Sequence, residues 1–406
     1  MRKDRIVRIG SRERKYVEEV LTSGFSNSKN VGMIGRFEKT FAKKIGTKFA
    51  IAHVNGTATL HSALFATGVR AGDEVITTSL TMASTCMAIL HADAVPVFAD
   101  IDEETFQIDP QSIEKLITPR TKAIMTVALY GLSPEMDEIM AIAKKRGIMV
   151  IEDNAQAFLS KYNGKTVGTI GHLSSFSLQS TKHMTAGEGG IVCTNNANLA
   201  DTVRRFSVLG YSSLSRAKGI VTKDDIQNPD YDRHMQMGYN YRMSELCAAV
   251  ALGQLEHLDE LVQRRIDAAN LLVENIGDCT WLKPQVTLPH CVNSYWALAV
   301  RLVHPEVTWT AFRKKYMALG GDGIYSAWKL SYLEPMFQKR TRNLSGKEKI
   351  IKAMHTGKLQ EWEKGLCPVA EKVQKQILAF KTSYWDWKRA ERQADVLKRT
   401  IRYFES

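Results

Sequence analysis

Ala123-Ile124-Met125-Thr126-Val127, then a helical run over Met136–Arg146, then Ile148-Met149-Val150-Ile151, is the stretch that decides the fold. The two outer runs are nearly continuous in apolar residues, as expected of strands covered on both faces. Strand, helix and strand at this spacing predict a mainly parallel α/β sheet. The pattern extends outward from there. Upstream lie Phe49-Ala50-Ile51-Ala52, Glu74-Val75-Ile76-Thr77 and Val95-Pro96-Val97-Phe98-Ala99-Asp100, and downstream lies Ile191-Val192-Cys193-Thr194.

Residues 242–275 read as one long helical stretch, nearly free of glycine. Leu246, Ala249, Val250, Leu255, Leu258, Leu261 and Val262 recur there at helical spacing. Such a stretch bridges a large domain, residues 1–258, to a smaller α+β domain, residues 259–406. The second domain holds strand-like Tyr295-Trp296-Ala297-Leu298-Ala299-Val300 and a closing helix over about residues 386–404. Residues 339–364 are polar and charged and predict a loop or a peripheral helix. No internal repeat or low-complexity segment appears.

A chain of 406 residues has ample material for two such domains. Its 44% hydrophobic and 24% charged residues match an ordinary globular composition. No run approaches the roughly 20 apolar residues that cross a bilayer. The basic start, Met1-Arg2-Lys3-Asp4-Arg5, has no apolar segment behind it, so no signal peptide is expected. The six cysteines are scattered without a C-x-x-C pair, which points to buried thiols in a reducing cytoplasm and to no metal site. The net charge of +12 is for the most part a solvated basic surface, and it would also suit an anionic small-molecule substrate. Nucleic acid is disfavoured, because acids interrupt the basic runs, as in Lys347-Glu348-Lys349.

Four features carry chemistry. Asn55-Gly56-Thr57-Ala58 follows an apolar strand and opens a helix, which lets backbone N–H groups approach an anion; a simple helix cap by Asn55 or Thr57 is the alternative. Glu152-Asp153 ends a strand, where α/β sheets gather ligands, and two adjacent buried acids need partners. A protonated pyridine nitrogen would be one partner, and capping of the next segment is the other reading. Lys182 follows the short apolar run Phe176-Ser177-Leu178. A lone lysine is ordinarily a surface charge, whereas one that attacks carbonyls needs a depressed pKa, which burial and nearby positive charge supply. Gly187-Glu188-Gly189-Gly190 suits a tight turn before the next strand.

The run over residues 175–194, Ser-Phe-Ser-Leu-Gln-Ser-Thr-Lys-His-Met-Thr-Ala-Gly-Glu-Gly-Gly-Ile-Val-Cys-Thr, resembles the core signature of the DegT/StrS-type sugar aminotransferases. Asn55-Gly56-Thr57-Ala58, Ala71-Gly72-Asp73-Glu74-Val75, Ile151-Glu152-Asp153-Asn154-Ala155-Gln156-Ala157 and Gly238-Tyr239-Asn240-Tyr241-Arg242-Met243 match in the same order. The resemblance covers about residues 15–265 and is looser beyond. It implies a fold-type-I transferase that uses pyridoxal 5'-phosphate, with an amino-acid donor and a keto-sugar acceptor.

Residue by residue, the resemblance implies that Lys182 bonds the cofactor and later moves the proton, and that Asp153 pairs with the ring nitrogen. It places Gln156 near the ring hydroxyl, and Gly56, Thr57, Ala58 and Ser177 around the phosphate. Asn240 would reach the phosphate of a neighbouring subunit, so a homodimer is expected. Arg242 is a candidate for the donor's carboxylate. Tyr325 and Trp328 are candidates for the sugar pocket together with Tyr332, with core packing as their other role. The family places an aromatic residue over the cofactor ring, and Met82 stands there instead. The family's histidine before Tyr130-Gly131 is missing as well.

A subgroup with histidine at the lysine position dehydrates sugars, whereas Lys182 argues for transamination. The acceptor implied is a nucleotide-linked keto-deoxysugar. A cyclitol ketone or an aminohydroxybenzoate precursor is the second reading, and a cofactor-binding regulator is the alternative of another class.

Overall fold

The computed structural model describes residues 4–25, 32–211, 227–338 and 360–406. The strands of its first half are β1 Phe49–His53, β2 Glu74–Thr78, β3 Val95–Ala99, β4 Thr121–Val127, β5 Met149–Asp153, β6 Lys161–Tyr162, β7 Lys165–Thr166, β8 Leu173–Ser177 and β9 Gly190–Thr194. Seven of them form one sheet in the order β1-β9-β8-β5-β4-β2-β3. The pairs β3–β2, β2–β4, β4–β5 and β5–β8 are parallel, and only β9 runs against its neighbours. The sheet is therefore mixed and mostly parallel.

Each strand of the decisive stretch is buried for nearly its whole length, which explains its unbroken apolar run. The helix between β4 and β5 spans Met136–Arg146, with Asp137 and Glu138 in its first turn and Lys144, Lys145 and Arg146 in its last. Those charges complement the helix dipole at both ends. Gly147 closes it in the left-handed region at φ 67°.

The second half adds β10 Leu282–Pro284, β11 Cys291–Val292, β12 Ala297–Leu302, β13 Tyr325–Ser326 and β14 Ile377–Lys381. A four-stranded sheet, β10-β12-β14-β13, is antiparallel throughout. The closing helix, Trp387–Glu405, is capped by the Asp386 side chain and packs Val396, Leu397 and Ile401 into the core beside this sheet.

Two expectations change. The helical stretch over residues 242–275 is two helices, Glu245–Leu255 and Leu258–Ile276. His257 leaves the helical region between them, at φ −124° and ψ 22°. Leu252, Leu255, Leu258, Leu261 and Val262 stay buried across the break, so the apolar spacing did not register it. Of the polar run 339–364, residues 339–359 lie outside the described residues. The part that is described is not peripheral: the Gln360 side chain bonds both the N–H and the carbonyl of Phe98. Trp362 is buried against Phe98 and Phe337.

Candidate active site

A cavity of about 1500 Å³ opens beside the carboxyl ends of β5 and β8. One end of it lies at the first turn of the Gly56–Ala66 helix. Asn55 caps that helix by accepting the Ala58 N–H at 2.9 Å. The capping reading of Asn55 thus holds, and Ala58, buried, has its N–H committed. Gly56 and Thr57 line the cavity together with Ser177. Two close approaches hold this turn. A Cβ on Gly56 would stand 2.9 Å from the Ser177 Cβ, and one on Gly190 would stand 2.6 Å from the Asn55 carbonyl oxygen. Gly190 is therefore required by contact rather than by a turn, whereas Gly187, at φ 82°, makes the turn.

The two acids of β5 part company. Glu152 points into the loop that follows and accepts three backbone N–H groups, from Gly168 at 2.7 Å, Ile170 at 2.9 Å and Gly171 at 2.6 Å. Its partner is thus main chain. Asp153 faces the cavity, where it accepts Thr85 Oγ1 at 2.9 Å and the Ala155 N–H at 3.2 Å. Burial raises its pKa, opposed by those two hydrogen bonds and by the charge on Lys182.

Lys182 lines the same cavity. Burial lowers its pKa to about 8; Arg265 pushes the same way, while Asp153 and Glu188 oppose. An amine near 8 is neutral often enough at physiological pH to attack a carbonyl. Its Nζ stands 5.2 Å from the centre of the Trp296 ring. Trp296 lies between Tyr130 and Trp328 in a stacked column, with centroids 6.4 and 6.0 Å apart. The column is set by an unusual turn: Tyr130 holds φ 62° while the Gln156 Oε1 accepts its N–H at 2.8 Å, and its carbonyl accepts the Trp296 N–H.

Met82 also lines the cavity, 46% exposed. Tyr325 sits at the mouth, 70% exposed, and Trp328 lies in the wall. Tyr332 does not line it: fully buried, it donates to Glu371 and packs on Phe98, so core packing is its role. Asn240 and Arg242 are not brought to the cavity of their own chain. Both are exposed, and the Arg242 Nε donates to the Asn240 Oδ1 at 3.0 Å.

Three cavity residues were missed by sequence reasoning, Trp296, Arg265 and Arg8, and so was Thr85, which is buried and donates to Asp153. Arg265 had left a signal. It lies four residues after Leu261 and three after Val262, a charged residue on the apolar face of a helix.

The residues present fit pyridoxal 5'-phosphate. A buried carboxylate suits a protonated ring nitrogen, a low-pKa amine suits its aldehyde, and a helix N-terminus with free N–H groups suits its phosphate. The described residues contain no cluster able to hold a metal ion and no helix long and apolar enough to cross a membrane.

Comparisons with known proteins agree. The model of the DegT/DnrJ/EryC1/StrS aminotransferase family matches residues 7–359. The GDP-perosamine synthase of Escherichia coli O157:H7 is 38% identical over 289 residues, 71% of this chain and 74% of that protein. Among solved structures, an aminotransferase from Psychrobacter cryohalolentis is 27% identical and superposes with a TM-score of 0.86 over 100% of both chains. A 3-amino-5-hydroxybenzoic acid synthase is 25% identical, with a TM-score of 0.79 over 96% of each.

Proposed function

The chain belongs to the DegT/DnrJ/EryC1/StrS aminotransferase family of pyridoxal-phosphate enzymes, and from that footing we propose that it moves an amino group from glutamate or glutamine to a nucleotide-linked keto-deoxysugar. The cofactor, when bound, supplies an electron sink that makes the substrate's carbon–hydrogen bond acidic. The chain's own residues do the rest. Asp153 would hold the proton on the ring nitrogen, and Gln156 would lie near the ring hydroxyl. The N–H groups of Gly56 and Thr57, with the Ser177 hydroxyl, hold the phosphate. With the cofactor bound, the Lys182 Nζ would carry a proton between the substrate carbon and the cofactor in each half of the reaction, away from the donor carbon in the first and onto the acceptor carbon in the second. Met82, which lines the cavity, would cover one face of the ring, its thioether packing with less contact area than an aromatic ring.

One observation carries the choice of acceptor. The cavity, at about 1500 Å³, exceeds the several hundred Å³ typical of a small-molecule site, and its outer wall presents Arg5, Lys329, Lys381 and Arg389 beside Tyr325 and Trp328. Cations and aromatic rings together suit a diphosphate and a base. Likeness to a GDP-perosamine synthase supports the same reading. Likeness to 3-amino-5-hydroxybenzoic acid synthase supports a second one, a cyclitol or aminohydroxybenzoate-precursor ketone.

The site is completed by a second copy of the chain, whose Asn240 reaches the phosphate. Its exposure away from its own cavity fits that role, as do the exposed Met235, Met237 and Tyr239 beside it. Residues 1–258 then hold the cofactor and residues 259–406 form the second domain. The free cysteines suit the cytoplasm.

The test loads the protein with pyridoxal 5'-phosphate and offers glutamate or glutamine with a panel of nucleoside-diphosphate keto-deoxysugars and cyclitol ketones. Release of the 2-oxo acid, with an amino product seen by mass spectrometry, is expected for the sugars. Turnover of cyclitol ketones alone would select the second reading. Binding of the cofactor with no 2-oxo acid from any donor would make the chain a regulator. Lys182→Ala is expected to lower turnover by at least about 10³-fold, since the proton carrier is lost; retained turnover would end the assignment of Lys182.

A further inference from the structure

The loop that carries Lys182 turns three successive carbonyls toward two arginines. The Arg265 Nη2 donates to the Thr181 carbonyl at 3.0 Å and the Lys182 carbonyl at 3.2 Å. Its Nη1 donates to the Trp296 carbonyl at 2.8 Å and to the Thr382 Oγ1 at 3.3 Å. The Arg8 Nη2 takes the Ser180 carbonyl at 2.8 Å and the Lys182 carbonyl at 2.9 Å. Both guanidinium groups lie against Trp385, at 5.5 and 5.8 Å from the centre of its ring. The indole N–H of Trp296 also donates to the Thr181 carbonyl, at 3.0 Å.

Two features separate Arg265 from an ordinary structural arginine. It is buried to 3% exposure, and all four of its acceptors are neutral. A carboxylate partner would cancel its charge; carbonyls and a hydroxyl leave that charge to act on its surroundings, through an interior that screens poorly. A fork that spans four acceptors on three segments is also something that a lysine, a single point donor, does not reproduce.

We propose that Arg265 is a positioning residue for Lys182: it holds the Thr181–Lys182 main chain and the Trp296 indole in register, and it presents an uncancelled positive charge to Nζ. The inference rests on the catalytic role proposed for Lys182. The charged groups around Nζ are Asp153 at the end of β5 and Glu188 on the same loop, which favour the ammonium, and Arg265, which disfavours it. His183, next in the chain, is held neutral by burial and by the charge on Arg265, with Lys182 and Arg8 adding to it. Arg265 is thus the cation that offsets the two carboxylates facing Nζ.

The test reads Lys182 without the cofactor. Cofactor-free protein is labelled briefly with acetic anhydride, and acetylation of Lys182 is compared with that of exposed Lys161 by peptide mass spectrometry. At pH 7.5, Lys182 in Arg265→Met is expected to react at least about twofold more slowly than in the wild type, because less of it is neutral. Arg265→Lys, which keeps the charge, is expected to leave the labelling rate in place.

In the loaded enzyme both variants are expected to lower kcat at least about tenfold, with KM for the donor unchanged, because the main chain beneath Lys182 is released. The acid limb of kcat/KM moves to higher pH in Arg265→Met alone. Should Arg265→Met not fold, Arg265→Gln, neutral but able to donate, carries the same labelling expectation. Unchanged labelling of Lys182 in a folded neutral variant overturns the proposal, as does a rise in donor KM with no movement of the acid limb, which would make Arg265 an anion site. A chain that turns over no donor yet shows the labelling contrast loses the proposed function and keeps this one.

Discussion

Asp153 is a buried acid whose burial is costly to the empty protein and whose proposed role is in the loaded one. The residue is 6% exposed, and its carboxylate accepts from Thr85 Oγ1 and the Ala155 N–H. Burial raises its pKa above the ordinary 3.8. Between that value and the raised one, the folded chain holds a proton that the unfolded chain has lost, so stability falls as pH rises. The slope inside the window is about 1.4 kcal/mol per pH unit. Asp153→Asn has no such proton. Its thermal midpoint without cofactor is expected to gain on the wild type as pH rises from about 4, with the neighbouring Glu152 common to both and cancelling. A difference that stays flat with pH would show that Asp153 is not buried as described. The same variant is expected to lose about 10²-fold or more in turnover, since an amide cannot hold the ring proton.

At the scale of elements, the turn proposed to hold the phosphate depends on β9 pressing on the first turn of the Gly56–Ala66 helix. A methyl group at Gly190 would meet Asn55 and Gly56 backbone atoms at 2.6 to 2.9 Å, and backbone gives way poorly. Gly190→Ala is expected to destabilise the fold by about 1–3 kcal/mol and to weaken pyridoxal 5'-phosphate binding by at least about tenfold, read by fluorescence titration. Gly187→Ala meets nothing within 4 Å but sits at φ 82°. It is expected to cost about 1 kcal/mol through backbone strain and to leave cofactor affinity unchanged. Equal affinity losses in both variants would remove the close-contact account.

The contrast also shows what could be read beforehand. The sheet strands were legible because each is buried on both faces and so carries an unbroken apolar run. Asp153, Ser177 and Lys182 were legible because motif and strand end coincide. Arg265 and Trp296 were not, because each reaches the cavity through contacts of long sequence separation, and Thr85 was not, because it meets Asp153 across 68 residues. The break at His257 escaped because burial continues through it. Trp362 escaped because its polar neighbours hid one aromatic ring that packs on Phe98.

For the whole molecule, the question is which chain supplies Asn240. Within one chain it is exposed, accepts a hydrogen bond from Arg242, and lies outside the cavity that holds Lys182. A two-fold dimer makes each surface meet its own copy, so a residue outside one cavity can complete the other. The prediction follows from counting sites. Lys182→Ala and Asn240→Asp are each expected to be nearly inactive, the second because a carboxylate repels the phosphate. Unfolded together and refolded as a mixture, they form hybrid dimers. In a hybrid, one site takes Lys182 from the Asn240→Asp chain and Asn240 from the Lys182→Ala chain, and is intact. With random pairing about half the dimers are hybrids with one good site of two, so about one quarter of wild-type activity should return. If Asn240 served the cavity of its own chain, every site would carry one lesion and no activity would return.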